Sequence, residues 1–228
     1  HGDGRRLLLS RDVTALEQAE AMRRDFVANV SHEIRTPLTV MAGFVETMQS
    51  LPLDEGQRER YLGFMAQQAQ RMQTLVSDLL TLSSIEGSPS PSNTEWIVLR
   101  DLLAQCAREA EALSGMVTAG HGKAHALRFG PMPEGSIAGA SSELLSALSN
   151  LVSNAVRYTP AGGRIDVRWQ PLPDGRAEFS VRDTGPGIAA EHLPRLTERF
   201  YRVDPSRSRE TGGTGLGLAI VKHVVQRH

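Results

Sequence analysis

The chain has 228 residues, 40% of them hydrophobic and 22% charged, with a formal net charge of -1. That is long enough for two modest domains with cores of their own, and too apolar for a disordered tail. The near-zero charge excludes a general nucleic-acid binder, and no apolar run nears the roughly 20 residues that span a bilayer.

A single cysteine, Cys106, excludes an intrachain disulfide. It fits a reducing compartment and reads as a small, half-buried apolar residue. Leu7-Leu8-Leu9 is too short for the core of a signal peptide, so the chain as it stands reads as soluble.

From residue 13 to 48 apolar side chains recur at helical spacing, at Leu16, Ala19, Met22, Phe26, Val30, Ile34, Met41, Val45 and Met48. This three-four alternation predicts a long amphipathic helix with a coiled-coil-like seam. Residues 50–54, with Pro52, read as a turn. A second run follows at Leu62, Met65, Ala69, Met72, Leu75, Val76, Leu79, Leu82 and Ile85. The two helices make an antiparallel hairpin, which alone buries little apolar surface. Pairing with a second copy into a four-helix bundle solves that, so a homodimer is expected.

Residues 87–94, rich in Gly, Ser and Pro, mark a linker. Beyond it, residues 96–99 predict a strand, 101–113 a helix and 124–129 a weaker strand. Residues 142–158 predict a strongly periodic helix carrying Leu144, Leu145, Leu148, Leu151 and Val152. Residues 164–169 and 177–182 alternate as strands across a turn at 171–175, and should pair antiparallel. A final helix covers 218–226. Helices layered on a mixed sheet are the expected outcome.

In the first helix, His32 lies two residues from both Val30 and Ile34, about 200° away from each around a helix. It should point out of the seam. An exposed imidazole keeps one nitrogen unprotonated near neutral pH and is a candidate phosphoryl acceptor. Glu33 is placed to accept a hydrogen bond from the other nitrogen, fixing the tautomer. Thr36 sits one turn on, where its hydroxyl can orient a water, and Pro37 should bend the helix just past the site.

In the later helix, Asn150 and Asn154 are one turn apart and face the same way. Their amide oxygens are neutral hard ligands that suit Mg²⁺. Arg157 can meet a phosphate and Tyr158 can lie against a base. In Asp183-Thr184-Gly185-Pro186-Gly187 the glycines allow close backbone approach, and a buried Asp183 can accept from an adenine amino group. Gly212-Gly213-Thr214-Gly215-Leu216-Gly217 precedes a helix whose first amides favour phosphate. It lacks the Gly-Lys-Ser/Thr of a Walker loop.

Ser31-His32-Glu33-Ile34-Arg35-Thr36-Pro37-Leu38 resembles the signature box of the phosphoacceptor domain of two-component sensor histidine kinases. The order of Asn box, Asp-x-Gly-x-Gly, basic aromatic segment and Gly-x-Gly resembles the ATP-binding fold that these kinases share with Hsp90, type II topoisomerases and MutL. Residues 26–32, 38–43 and 198–208 resemble the phosphate-regulon branch, the PhoR-like kinases.

The resemblance implies a helical hairpin forming a dimeric four-helix bundle, followed by an α/β-sandwich ATP-binding domain of the GHKL, or Bergerat, type. It places the tail of a PAS-like sensor domain at 1–11, the signalling helix and hairpin at 12–86, a linker at 87–95 and an incomplete ATP-binding domain at 96–228. It implies that His32 is phosphorylated from Mg-ATP, that Glu33 is its general base, and that Thr36 helps hydrolyse a phosphorylated regulator. Asn154, with Asn150 beside it, would hold Mg²⁺, and Asp183 would read adenine. Gly185, Gly187, Gly213, Thr214, Gly215, Leu216 and Gly217 would shape the loops.

Residues 198–207 would form a lid, and Arg202, with Arg207 and Arg209, would neutralise the triphosphate. The partner would be the receiver domain of a PhoB-like response regulator, and the full-length protein would be anchored in a bacterial inner membrane with this part in the cytoplasm. Two other readings stay open at this stage. One is an ATPase like Hsp90 or MutL, which has no use for a His-Glu-x-x-Thr-Pro box. The other is a non-catalytic dimer scaffold, which would not need Asn154, Asp183 and the glycines.

Overall fold

The computed structural model describes residues 12, 14–91, 95–120, 122–132, 134–173, 175–204 and 213–228. The PAS-like tail at 1–11, Gly212 and both Arg207 and Arg209 lie outside the described residues. The chain divides into two compact units, one up to Met72 and one from Gln73 to His228.

The first unit is the hairpin. Helix α1 spans Thr14–Ser50 and helix α2 spans Glu55–Gly87. The α1 start is capped by Asp12, whose Oδ1 accepts the Thr14 amide at 2.9 Å. The α2 start is a reciprocal capping box. The Gln57 amide donates to Asp54 Oδ1 at 2.7 Å, and the Asp54 amide donates to Gln57 Oε1 at 3.2 Å.

Helix α1 runs through Pro37, whose ring deprives the Glu33 carbonyl of its helical donor. On either side the Thr36 and Thr39 hydroxyls donate to the His32 and Arg35 carbonyls at 3.1 and 3.0 Å. Near the loop, Phe44 stacks on Phe64 and tilts against Tyr61, with centroids 5.5 and 5.2 Å apart. Among the described residues of this unit only Pro37 is fully buried, while Met22, Val27, Leu38, Val40 and Leu62 are exposed.

The second unit begins inside α2, because residues 73–87 share its contacts. Strand β1 (Trp96–Val98) leads into α3 (Leu99–Thr118). Then come β2 (Ala126–Phe129), β3 (Ser136–Ala138), α4 (Ser141–Tyr158), β4 (Arg164–Pro171) and β5 (Ala177–Asp183). A 3-10 helix at Ala190–Arg195 and α5 at Gly217–Arg227 close the series.

β1 and β3 form an antiparallel pair with Ile97 opposite Ile137. The second sheet has the order β2-β4-β5. β2 lies parallel to β4, with Phe129 opposite Val167, and β4 pairs antiparallel with β5 as the alternation predicts. Ile165 and Val167, two residues apart, point to one face, where they meet Leu102, Leu103, Cys106 and Ala110 of α3 and Leu148, Val152 and Val156 of α4. Burying each of these large aliphatic groups stabilises the fold by about 1.5–3 kcal/mol. Cys106 is fully rather than half buried, which pushes its thiol pKa up to about 11. The α/β domain therefore has the expected layers, with α4 and α5 packed side by side.

α3 is longer than the predicted 101–113. Its last turns carry Ser114 and Thr118, weak helix formers by propensity. Tertiary bonds outweigh this, because Ser114 Oγ bonds His125 Nδ1 at 2.9 Å, and His125 Nε2 in turn bonds the Thr159 carbonyl at 2.9 Å. β3 and the 3-10 helix are additions that the sequence pattern does not announce.

Candidate phosphoacceptor and nucleotide site

In the first unit His32 is solvent-exposed, one turn from an equally exposed Thr36. Neighbours on a helix diverge by about 100°, and Glu33 follows that geometry. Its Oε2 accepts from Arg71 Nη2 of α2 at 2.9 Å, with both side chains mostly buried at 21% and 13% exposure. Glu33 is thereby tied through Oε2 to the opposite helix of the hairpin. Arg71 escapes sequence reasoning because its partner is 38 residues away.

In the second unit the Asn box and the glycine segment come together. Asn150 Nδ2 donates to the Ser146 carbonyl at 2.9 Å, which turns Oδ1 towards the start of α5. There a methyl group on Gly217 would lie 2.3 Å from Asn150 Oδ1, so only glycine admits this approach. Asn154, Arg157 and Tyr158 follow along α4, each half-buried. Tyr158 meets the next loop through its backbone, since a methyl on Gly185 would stand 3.0 Å from the Tyr158 carbonyl oxygen.

Asp183 ends β5 and is exposed, not buried as the adenine reading assumes. The strand stops there as the chain turns, and Asp183 Oδ1 accepts the Gly185 amide at 2.7 Å. Gly187 has a left-handed φ of +73° in open space.

Gly215 also has a left-handed φ, +74°, and faces Phe200, itself at +64°. The Phe200 amide donates to the Gly215 carbonyl at 2.8 Å, so the segment before Arg202 is fastened to the glycine segment. Arg202 is half-buried just beyond Tyr201, whose ring lies under Arg195 at 4.3 Å and whose hydroxyl bonds His192 Nδ1 at 2.7 Å. Gly213 is half-buried and Thr214 buried. Leu216 is fully buried, so it contributes a backbone amide, not a side chain, to any ligand.

Among the described residues no cluster of three His, Cys, Asp or Glu side chains can hold a metal ion. Of the two α4 carboxamides, that of Asn150 reaches the glycine segment at Gly217, and that of Asn154 follows one turn along the helix. A neutral pair of that kind fits an ion that keeps waters and is completed by phosphates.

Residues 22–88 match the His Kinase A (phospho-acceptor) domain, and residues 139–228 match the histidine kinase-, DNA gyrase B- and HSP90-like ATPase family. The phosphate regulon sensor protein PhoR of Pseudomonas aeruginosa is 51% identical over the whole chain and half of its own length. The chain belongs to the sensor histidine kinases.

The chain spans about half the length of the curated relatives that it matches. The structure of full-length ShkA in complex with AMPPNP is 28% identical and has a TM-score of 0.56, over 89% of this chain and 41% of that one. Histidine kinase ThkA, solved in complex with the response regulator protein TrrA, shares the fold at 22% identity and a TM-score of 0.58, over 84% of this chain and 57% of that one. No helix among the described residues is long and apolar enough to cross a membrane.

One further residue reaches the glycine segment of this histidine kinase. Asp78, in the part of α2 that belongs to the second unit, accepts from Thr214 Oγ1 at 2.6 Å. Burial raises its carboxyl pKa, against the lowering effects of the Thr214 hydrogen bond and the positive charge of Arg157. The sequence does carry a signal for Asp78. It is an acid at a position where Leu75, Leu82 and Ile85 form an apolar stripe.

Proposed function

We propose that this chain is the catalytic core of a PhoR-like sensor that transfers the γ-phosphoryl group of ATP to His32 and then to an aspartate of a response regulator. The observation that carries the reading is the packing of Gly217 on Asn150, which makes one site of the Asn box and the glycine segment. The functional division is a hairpin at 12–86, a linker at 87–95 and an ATP-binding domain at 96–228.

In the transfer, an imidazole nitrogen of His32 attacks the γ-phosphorus. A P–N bond forms, the P–O bond to ADP breaks, and ADP leaves. Glu33, paired with Arg71 through one carboxylate oxygen, takes the proton from the other ring nitrogen. Asp183 holds the adenine amino group, while the amides of Gly213, Gly215 and Gly217 and the cations Arg157 and Arg202 meet the phosphates. Gly185 and Gly187 let the loop after β5 approach the nucleotide. Mg²⁺ would be held by Asn154 with Asn150 beside it, and when bound it neutralises developing phosphate charge.

Exposed Met22, Val27, Leu38 and Leu62 support pairing of two hairpins into a four-helix bundle. The regulator of the ThkA complex and the relative from the phosphate regulon support a PhoB-like receiver domain as partner. Thr36, exposed beside His32, is the group that would orient water for dephosphorylation of that regulator. Anchoring in a bacterial membrane, with this region in the cytoplasm, belongs to the same reading.

The test is a chase. The chain is labelled with γ-labelled Mg-ATP, freed of nucleotide, and mixed with a receiver domain. Label should leave the chain for the receiver domain, and does so only if its acceptor aspartate is intact. Label that stays on the chain or escapes only as free phosphate would refute the relay.

A further inference from the structure

Leu75, Asp78, Leu82 and Ile85 recur at spacings of three, four and three, which places them on one face of α2. The three aliphatic members are 3% exposed or less. A carboxylate on that stripe loses solvation, so its partners must compensate. Thr214 Oγ1 donates to it at 2.6 Å, and the same oxygen accepts the Leu216 amide at 3.2 Å, at the N-terminal start of α5. Arg157 of α4 lies within electrostatic reach of the carboxylate. Asp78 therefore engages a hydroxyl and, through it, a helix-start amide, with a guanidinium within electrostatic reach. These are the donor types that bind phosphate.

We propose that Asp78 is an internal competitor for nucleotide phosphate, which occupies Thr214 beside Arg157 whenever the end of α2 is seated against α4 and α5 and which ATP must displace. The proposal rests on the reading of α4 and the glycine segment as the nucleotide site.

The seating is built at several points. Glu86 pairs with Arg199 and lies 3.2 Å from His223 Nε2. Arg227 of α5 donates to the carbonyls of Ile85, Ser88 and Pro89, groups that the end of α2 leaves without helical donors, and pairs with Glu143 at 3.2 Å. Seating aligns Asp78 with Thr214, and a triphosphate arriving there meets a like charge. By linkage, nucleotide that weakens the Asp78 contacts also loosens the end of α2.

The experiment is calorimetric titration of the full-length chain with ATP and with adenosine, for wild type, Asp78→Asn and Asp78→Glu. Adenosine carries no phosphate and so reports everything except the competition. Asp78→Asn should bind ATP about 5- to 10-fold tighter, at the low end of ordinary coupling factors, with adenosine affinity unchanged. Asp78→Glu, which keeps the charge, should stay near wild type. Equal or weaker ATP binding by Asp78→Asn would overturn the proposal, and so would a gain shared equally by adenosine. Failure of the wild type to bind ATP at all would instead remove the nucleotide reading, and the proposal with it.

Discussion

Gly215 gives the sharpest stability prediction, because two separate costs meet there. A methyl group on Gly215 would lie 2.9 Å from Phe200 Cα and 3.0 Å from its carbonyl carbon, both backbone atoms that no rotamer change can move. Overpacking of this kind costs about 1–3 kcal/mol. The φ of +74° adds about 1–2 kcal/mol for any residue with a Cβ. Gly215→Ala should therefore lose about 2–5 kcal/mol. At about 2–4 °C per kcal/mol for a unit of this size, the midpoint falls by about 10 °C.

Gly187→Ala separates the two costs. Its φ of +73° is nearly the same, yet nothing lies within 4 Å of the added methyl. It should lose only the conformational part, about 1–2 kcal/mol. Thermal unfolding followed by circular dichroism, run on both variants, measures the difference. Equal losses would refute the claim that the Phe200 backbone presses on Gly215.

Asp78 should also mark the pH dependence of stability. Its pKa is raised in the folded state, so the native form holds more protons than the unfolded one in the window above the ordinary carboxylate value, and stability falls as pH rises through it. Asp78→Asn should thus be the more stable chain at pH 7, and denaturant melts should show the gap closing as pH falls towards the usual carboxylate range. Cys106, fully buried and with its pKa pushed up to about 11, is about one part in a thousand thiolate at pH 8. A colorimetric thiol reagent should label it only as fast as the second unit opens, and rapid labelling of the folded chain would contradict its placement. Ile165→Ala, at a site with no exposed surface, should cost about 2–5 kcal/mol by the same denaturant melts.

The strong periodicities in the sequence translate directly into structure. The apolar repeat of 142–158 becomes α4 within one residue, and the alternation of 164–169 and 177–182 becomes the β4–β5 pair. β3 is three residues long and exists because β1 lies opposite it, so no local pattern announces it. The site divides in the same way. Asn150, the glycines and His32 are legible because helix spacing and glycine chemistry are local.

The roles of Arg71 and Asp78 are not, since each depends on a partner far along the chain, 38 and 136 residues away, and for Asp78 the sequence shows only an acid on an apolar stripe. Glu33 shows the limit most clearly. Its place beside His32 is read from the sequence, whereas its ion pair with Arg71 of α2 is not.

The most direct test of the central claim is transfer of label from γ-labelled Mg-ATP to the wild-type chain and to His32→Gln, with nucleotide binding measured on both. The account predicts acid-labile, base-stable label on the wild type that His32→Gln loses while still binding ATP. Label retained by His32→Gln, or a wild type that binds ATP and releases only free phosphate, would contradict it.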